Sequence, residues 1–115
     1  MKIQNTLKGE HTELAQGGDP IGVYVCGVTP YDNAHVGHAM SLMVYDVLIR
    51  YLRWSGQEVN FISNYTDIDD KLIDRAKTLS IDPIELANQN ISQWEEEQVR
   101  LGLLKPDVRP RVTTE

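Results

Sequence analysis

The sequence contains a single cysteine, Cys26, in 115 residues, so no internal disulfide can form and a reducing, cytoplasmic setting is the default expectation. It has no run approaching the roughly 18–20 uninterrupted apolar residues that cross a bilayer, so no membrane partner is expected. The opening stretch, MKIQNTLKGEHTELAQGG, lacks the apolar core of a secretory signal. There are no internal repeats and no low-complexity tracts, which excludes collagen-like and coiled-coil descriptions of the whole chain. Basic charge is scarce as well. Eleven Lys and Arg stand against 17 Asp and Glu, a net charge of −6. A domain whose main task is gripping a nucleic-acid backbone is usually basic, so this chain by itself is a poor candidate for that. An anionic small molecule is a different matter, because a helix N-terminus binds phosphate without any surplus of Lys and Arg.

What is present suits one globular core. The hydrophobic fraction is 41% and the charged fraction 24%, and the length fits a single domain with no second one. Residues 9–20 read as a loop, broken by Gly17, Gly18 and Pro20. Gly22 to Val25, extended by Cys26, read as a buried strand that Gly27 ends. The turn-rich segment VTPYDNAH follows. From Val36 to about Trp54 the apolar residues Ala39, Leu42, Met43, Val47, Leu48, Tyr51 and Leu52 recur at three- and four-residue steps. That predicts a helix with one buried stripe, stopped near Gly56. Glu58 to Ser63 read as a second strand. Strand, helix and strand over this distance make a βαβ unit.

Asp67 to Leu79 are expected to form a helix with Thr66 as N-cap and acidic residues in the first turn. Asp82-Pro83 opens a further helix running to about Leu101, with Gly102 beyond it. The segment KPDVRPRVTTE has two prolines and no periodicity, and the sequence reads there as cut rather than finished. Two or three parallel strands leave an open edge and an uncovered face. The expectation is an incomplete doubly wound sheet, completed by further chain or by a partner, with self-association through the open edge as one such pairing.

The chemistry concentrates in Cys26 to His38, CGVTPYDNAHVGH, which runs off a strand and into a helix. In open parallel sheets, ligands bind at the carboxyl ends of strands beside helix N-termini. Gly37 removes a side chain, so a flat ring or phosphate can approach the backbone. His35 and His38, three residues apart in the first helical turn, can point to one side. There they can donate hydrogen bonds to phosphate oxygens as charge develops in a phosphoryl or nucleotidyl transfer. The bland alternative is a helix start with no role. A metal held by the two histidines alone is a weaker reading, because no carboxylate is nearby in sequence. Cys26 is either a small buried hydrophobe or a functional thiolate, and one thiolate cannot by itself complete a zinc site. Asp67, Asp69 and Asp70 could hold Mg²⁺, but an acidic first turn is more often a partner of the helix dipole.

CGVTPYDNAHVGHA, followed after a helix by NYTDIDDKLIDRA, resembles the N-terminal part of the catalytic domain of cysteinyl-tRNA synthetases, which are class I aminoacyl-tRNA synthetases. His35-Val36-Gly37-His38 resembles the HIGH signature of that class. IQNTLKGEHTEL resembles the family's first strand and loop, and LKPDVRPRVTTE the stretch leading onward. The likeness implies an α/β, Rossmann-like nucleotide-binding domain, of which residues 1–115 are the N-terminal portion.

It also implies ATP-dependent activation of L-cysteine to cysteinyl-adenylate, then transfer to tRNA(Cys). Zinc would select the substrate thiolate, since a soft thiolate suits zinc and a serine hydroxyl does not. ATP would enter with Mg²⁺ as substrate. Carried over by resemblance, His35 and His38 are catalytic and bind the ATP phosphates. Gly27, Thr29 and Gly37 line the ATP site, Cys26, Gly27 and Thr66 lie by the substrate cysteine, and Cys26 is one zinc ligand. The other zinc ligands, the KMSKS loop and the tRNA-binding domains of the family have no counterpart among these residues. The segment alone is therefore expected not to aminoacylate.

The cysteine ligase of mycothiol synthesis shares the Cys-Gly-x-Thr-Pro-Tyr-Asp and H-x-G-H-A strings, but Asp69-Asp70-Lys71 is more similar to the synthetases. Two further readings are a truncated paralogue acting as a nucleotide-binding or interaction module, and an α/β domain without activity.

Overall fold

The computed structural model describes residues 1–14 and 19–115. Strands β1 (Lys2–Asn5) and β2 (Glu10–Glu13) pair antiparallel, with Ile3 opposite Thr12 and Asn5 opposite Glu10. The reversal depends on Gly9, whose φ of 70° suits glycine. Its N–H donates to the Asn5 carbonyl at 2.8 Å, while Asn5 Oδ1 accepts from the Lys8 N–H at 3.1 Å. The loop expected over 9–20 is thus corrected at 10–13. The run Glu-His-Thr-Glu has no apolar alternation to betray a strand, and only its main-chain pairing with β1 makes it one. Gly17 and Gly18 lie outside the described residues.

Next come β3 (Ile21–Val25), α1 (Val36–Trp54) and β4 (Val59–Ser63), the βαβ unit that the spacing predicts. β3 and β4 are parallel, with Ile21 opposite Val59 and Val25 opposite Ser63. Val25, Val59 and Phe61 close on Ile49 and Leu52 of α1, with Ile21 and Val23 at the margin. Ile49 and Phe61 are essentially inaccessible, and burial of such a side chain stabilises by about 1.5–3 kcal/mol. α1 ends where Gly56 takes a φ of 86°. There the Gly56 N–H reaches the Arg53 carbonyl and the Gln57 N–H reaches that of Leu52, which satisfies the last carbonyls of the helix.

The buried stripe of α1 differs from expectation. Leu42, Ile49 and Leu52 are buried, and Ala39 and Leu48 are half-buried, but Met43, Val47 and Tyr51 face outward. The helix is apolar over two arcs rather than one. Periodicity finds both arcs and cannot say which of them meets the sheet. Cys26, read with the buried strand, is in fact exposed just beyond the end of β3.

Two helices follow, α2 (Asp70–Leu79) and α3 (Pro83–Arg100). The N-cap of α2 is Asp69, whose Oδ1 accepts from the Lys71 N–H at 2.8 Å; it is not Thr66, and the helix does not begin at Asp67. Asp67 is buried instead, accepting from the Thr113 N–H at 3.1 Å and from Thr113 Oγ1 at 2.6 Å. That tertiary use of Asp67 removes it from the helix start. α2 closes on Ser80, whose left-handed φ of 56° stands where glycine is commoner. α3 opens as expected, with Asp82 as cap and Pro83 in the first turn. Ile91 and Trp94 of α3 pack on Leu42 of α1 and on Tyr65, while Leu86 and Ala87 pack on Leu72 and Ala76 of α2.

The proline-containing segment after α3 is also ordered by tertiary pairing. The Ser63 N–H donates to the Val108 carbonyl at 3.1 Å and the Tyr65 N–H to the Pro110 carbonyl at 2.9 Å, with parallel bridges at Ile62–Val108 and Tyr65–Arg111. Residues 107–113 thus lie beside β4 as a third, irregular strand. Pro110 is tolerated there because its carbonyl accepts and no donor is required of it. The lateral order is β3, β4, then residues 107–113. Among the described residues, β3 pairs with β4 alone.

Candidate active site

His35 is the N-cap of α1, with extended backbone (φ −118°, ψ 170°). Its Nδ1 accepts from the Gly37 N–H at 3.1 Å, and the His35 N–H in turn donates to Nδ1 of His38 at 3.1 Å. This is a reciprocal capping box built from two imidazoles instead of the usual hydroxyl and carboxylate. It has a chemical consequence. Both Nδ1 atoms act as acceptors, so in the neutral rings both protons sit on Nε2. Each histidine is then a donor on its far edge, at the mouth where a strand end meets a helix N-terminus. The rings lie 4.0 Å apart at their centroids, tilted by 32°. His38 is half-buried against the edge of Trp94, at 6.3 Å. Burial, and secondarily the neighbouring His35, hold its pKa below the usual imidazole value. Gly37 belongs to the same device. A Cβ there would stand 2.8 Å from Cε1 and 2.9 Å from Nδ1 of His35, so a side chain would push the capping ring away.

The second half of the site is where the loop after β3 meets the loop after β4. A Cβ on Gly27 would lie 1.5 Å from the Asn64 carbonyl oxygen, so only glycine allows the two backbones this close. The Gly27 N–H donates to Asn64 Oδ1 at 2.9 Å, and Asn64 Nδ2 reaches Thr66 Oγ1 at 3.4 Å. The Thr66 N–H donates to the Val28 carbonyl at 3.3 Å, and the Thr29 carbonyl accepts from the Tyr31 N–H at 2.9 Å. Asn64 is thus the residue that joins Gly27 to Thr66. It was not singled out from sequence, and its one signal is its place directly after a strand, opposite a glycine two residues beyond the end of the neighbouring parallel strand.

The predicted residues fall into two groups. Gly27 and Thr66 are brought together through Asn64, and His35, Gly37 and His38 through the helix cap. The groups share a floor, since Val28 and Ala34 pack on the cluster of Leu42, Tyr65, Ile91 and Trp94. Cys26 stands exposed at the rim. No group of three or more His, Cys, Asp and Glu side chains gathers to hold a metal among the described residues. Asp69 is used as a cap and Asp67 as an anchor for Thr113, in line with a structural role for the acidic run. An open cleft of about 470 Å³ flanks His35, between Val36 and Ala39 on α1 and Glu97 and Arg100 on α3.

The Thr66 loop is supported from behind. Tyr65 is buried. Its hydroxyl takes a hydrogen bond from Arg109 and donates to Glu95 Oε1 at 3.3 Å, and Arg109 also donates to Gln98 Oε1 at 2.5 Å. Burial pushes the Tyr65 hydroxyl up to about 12, with Arg109 opposing and Glu95 adding to the rise. This polar pin ties residues 107–113, β4 and α3 together.

Comparison with known proteins places this geometry in a family. The family model for the "tRNA synthetases class I (C) catalytic domain" matches residues 13–115. Cysteine–tRNA ligases of Trichlorobacter lovleyi and Nitratidesulfovibrio vulgaris are 44% and 47% identical, over 98% and 99% of this chain. The chain spans only 23% and 24% of those two relatives. The cysteine–tRNA ligase of Lawsonia intracellularis is 47% identical over 98% of the chain. Among solved structures, methionyl-tRNA synthetase of Mycobacterium tuberculosis in complex with methionyl-adenylate superposes with a TM-score of 0.66. It shares 24% identity, over 72% of this chain and 17% of that one, a likeness of fold. The parallel strand pair with its crossover helix is thus part of a Rossmann-like architecture, and the chain belongs to the class I (C) tRNA synthetase catalytic-domain family.

Proposed function

We propose that residues 1–115 form the N-terminal portion of the catalytic domain of a cysteine–tRNA ligase and supply the ATP side of its adenylate site. In the full reaction the carboxylate of L-cysteine attacks the α-phosphate of ATP, bound with Mg²⁺. Pyrophosphate leaves, and the cysteinyl group then passes to the 3′ end of tRNA(Cys). The observation that carries this reading is the imidazole cap. With both Nδ1 atoms occupied by backbone N–H groups, His35 and His38 are held with Nε2–H free to donate. Two preorganised donors at the mouth of a parallel sheet suit charge that builds on phosphate oxygens in the transition state. Gly27 and Thr29 would line the adenylate, and Gly37 keeps the helix start open to the nucleotide. Thr66, held to the Gly27 loop by Asn64, would face the substrate amino acid.

Zinc fits this segment at one point only. The exposed Cys26 thiol is the right soft donor and stands at the rim, but a tetrahedral site needs three further ligands. When bound, zinc would coordinate the substrate thiolate and so separate cysteine from serine. The cytoplasm is the compartment that suits a free thiol in this role. No helix among the described residues is long and apolar enough to cross a membrane.

The test is a chimera in which residues 1–115 replace the matching quarter of a cysteine–tRNA ligase relative. Cysteine-dependent ATP–pyrophosphate exchange and tRNA charging are expected in the chimera, with neither in purified 1–115. His38→Ala in the chimera should lower kcat by about 10²-fold, the cost of losing one transition-state donor. A folded chimera with no exchange, or a His38→Ala variant with full kcat, would overturn the assignment.

A further inference from the structure

The side chain of Asn64 stands between two groups of the site and treats them differently. The Gly27 N–H can only donate, so the atom that meets it at 2.9 Å is Oδ1, and the amide has one orientation. Nδ2 is thereby turned toward Thr66, whose Oγ1 lies 3.4 Å away and acts there as the acceptor. A hydroxyl that accepts from an amide keeps its own proton for another partner. Among the described residues no carbonyl or side chain takes that proton, and Thr66 is half-buried beside the Gly27 loop. The amide cannot turn over, because Nδ2 would then meet the Gly27 N–H, donor against donor. The backbone that carries it is fixed on both sides. The Asn64 carbonyl oxygen is pressed against Gly27, where a Cβ would lie 1.5 Å from it. On the opposite side the Ser63 N–H is tied to the Val108 carbonyl and the Tyr65 N–H to the Pro110 carbonyl.

We propose that Asn64 is a positioning residue for cysteine activation: through Nδ2 it holds the Thr66 hydroxyl with its proton directed at a carboxyl oxygen of the substrate amino acid. The inference rests on the reading above that Thr66 faces the substrate cysteine, and it adds a polarity to that placement. Thr66 donates, so it recognises an oxygen acceptor. The amino acid keeps such an oxygen when its carboxylate becomes the acyl phosphate of the adenylate. The bond is then made alike in the ground state and the transition state, and it serves binding of the amino acid more than the rate of the chemical step. His35 and His38 act on the phosphates, so ATP binding does not depend on Asn64. Asn64→Asp reverses the polarity with almost no change of shape. One carboxylate oxygen still accepts from the Gly27 N–H, more strongly than the amide does. The other now accepts from Thr66, and the Thr66 proton is drawn away from the substrate.

The test is ATP–pyrophosphate exchange by the chimera that carries residues 1–115 in a cysteine–tRNA ligase relative. Asn64→Asp should raise the KM for cysteine about 10- to 100-fold, the loss of one hydrogen bond to a charged group, with kcat and the KM for ATP within about twofold of the parent. Its Tm should match or exceed that of the parent, since the Gly27 tether is kept. Thr66→Val removes the hydroxyl and should raise the same KM to a similar extent. Asn64→Asp added to Thr66→Val should then cost no more than about a further twofold. In a Thr66→Ser background, which retains the hydroxyl, Asn64→Asp should cost as much as in the parent. A carboxylate acting by its charge alone, or a loosened loop, would penalise every background equally. The proposal is overturned by a cysteine KM that either Asn64→Asp or Thr66→Val leaves unmoved, by a loss shared with ATP, or by a loss as large without the hydroxyl as with it. An Asn64→Asp chimera that does not fold would make Asn64 a purely structural residue and would overturn it too. Each of these results in an active parent chimera leaves the adenylate-site reading standing, whereas a folded parent without exchange ends that reading and this one with it.

Discussion

Gly27→Ala offers the sharpest trial of the site geometry. The added methyl would stand 1.5 Å from the Asn64 carbonyl oxygen, against the 3.0 Å below which Cβ atoms are essentially never found, and that neighbour is backbone with no flexible end to swing away. The loop after β3 must retreat from the loop after β4. That retreat breaks the Gly27 N–H bond to Asn64 Oδ1 and the Thr66 N–H bond to the Val28 carbonyl. Two lost hydrogen bonds cost about 1 kcal/mol each. The forced displacement adds about 1–3 kcal/mol, as overpacking does in a tight interior. The sum, about 3–5 kcal/mol, is a large share of the roughly 5–15 kcal/mol that holds a domain folded. Urea unfolding followed by circular dichroism should show the midpoint falling by about 2 M, from a slope of about 1–3 kcal/mol per M. Gly22→Ala is the control. It lies on β3 with nothing within 4 Å of its added Cβ, and it should be neutral to slightly stabilising. A Gly27→Ala midpoint within about 0.3 M of the parent would refute the close crossing, and with it the placement of Thr66 beside the Gly27 loop.

Two predictions concern protons. His38 has its pKa lowered by burial and by His35, so the unfolded chain binds its proton first as pH falls. Its contribution to stability should be complete above about pH 6.5 and lost as the pH falls below that through the folded value. Proton and nitrogen NMR should find His38 titrating below 6.5 with the proton of the neutral ring on Nε2, and an Nδ1–H tautomer would break the capping argument. Tyr65 behaves in the opposite sense. Its folded value near 12 lies above the usual 10, so its contribution is intact below pH 10 and lost as the pH rises from 10 towards 12. Tyr65→Phe should remove that alkaline loss and cost about 1–2 kcal/mol at neutral pH by taking one partner from Arg109, read by thermal unfolding at pH 7 and pH 11.

The composition and local pattern of this chain determined a good deal. A strand, a helix of the right span, a second strand and the helix that opens at Asp82-Pro83 are where the spacing puts them, because apolar periodicity, Gly56, Gly102 and Asp82-Pro83 act locally. The string from Cys26 to His38 marks the candidate site in the sequence, since a strand end, a glycine and two imidazoles within one turn are a local arrangement. Other features were decided only by residues far apart in sequence. The strand at Glu10–Glu13 exists because β1 pairs with it. The 107–113 segment is ordered because β4 offers it donors, and Asp67 leaves the helix start because Thr113, 46 residues on, binds its carboxylate. Asn64 acquires its role only when two parallel strands end side by side, and Met43, Val47 and Tyr51 face outward because the sheet meets α1 on its other arc. Periodicity along a chain reports which side chains are apolar, whereas contact between distant segments settles which of them are covered and which backbone groups find partners.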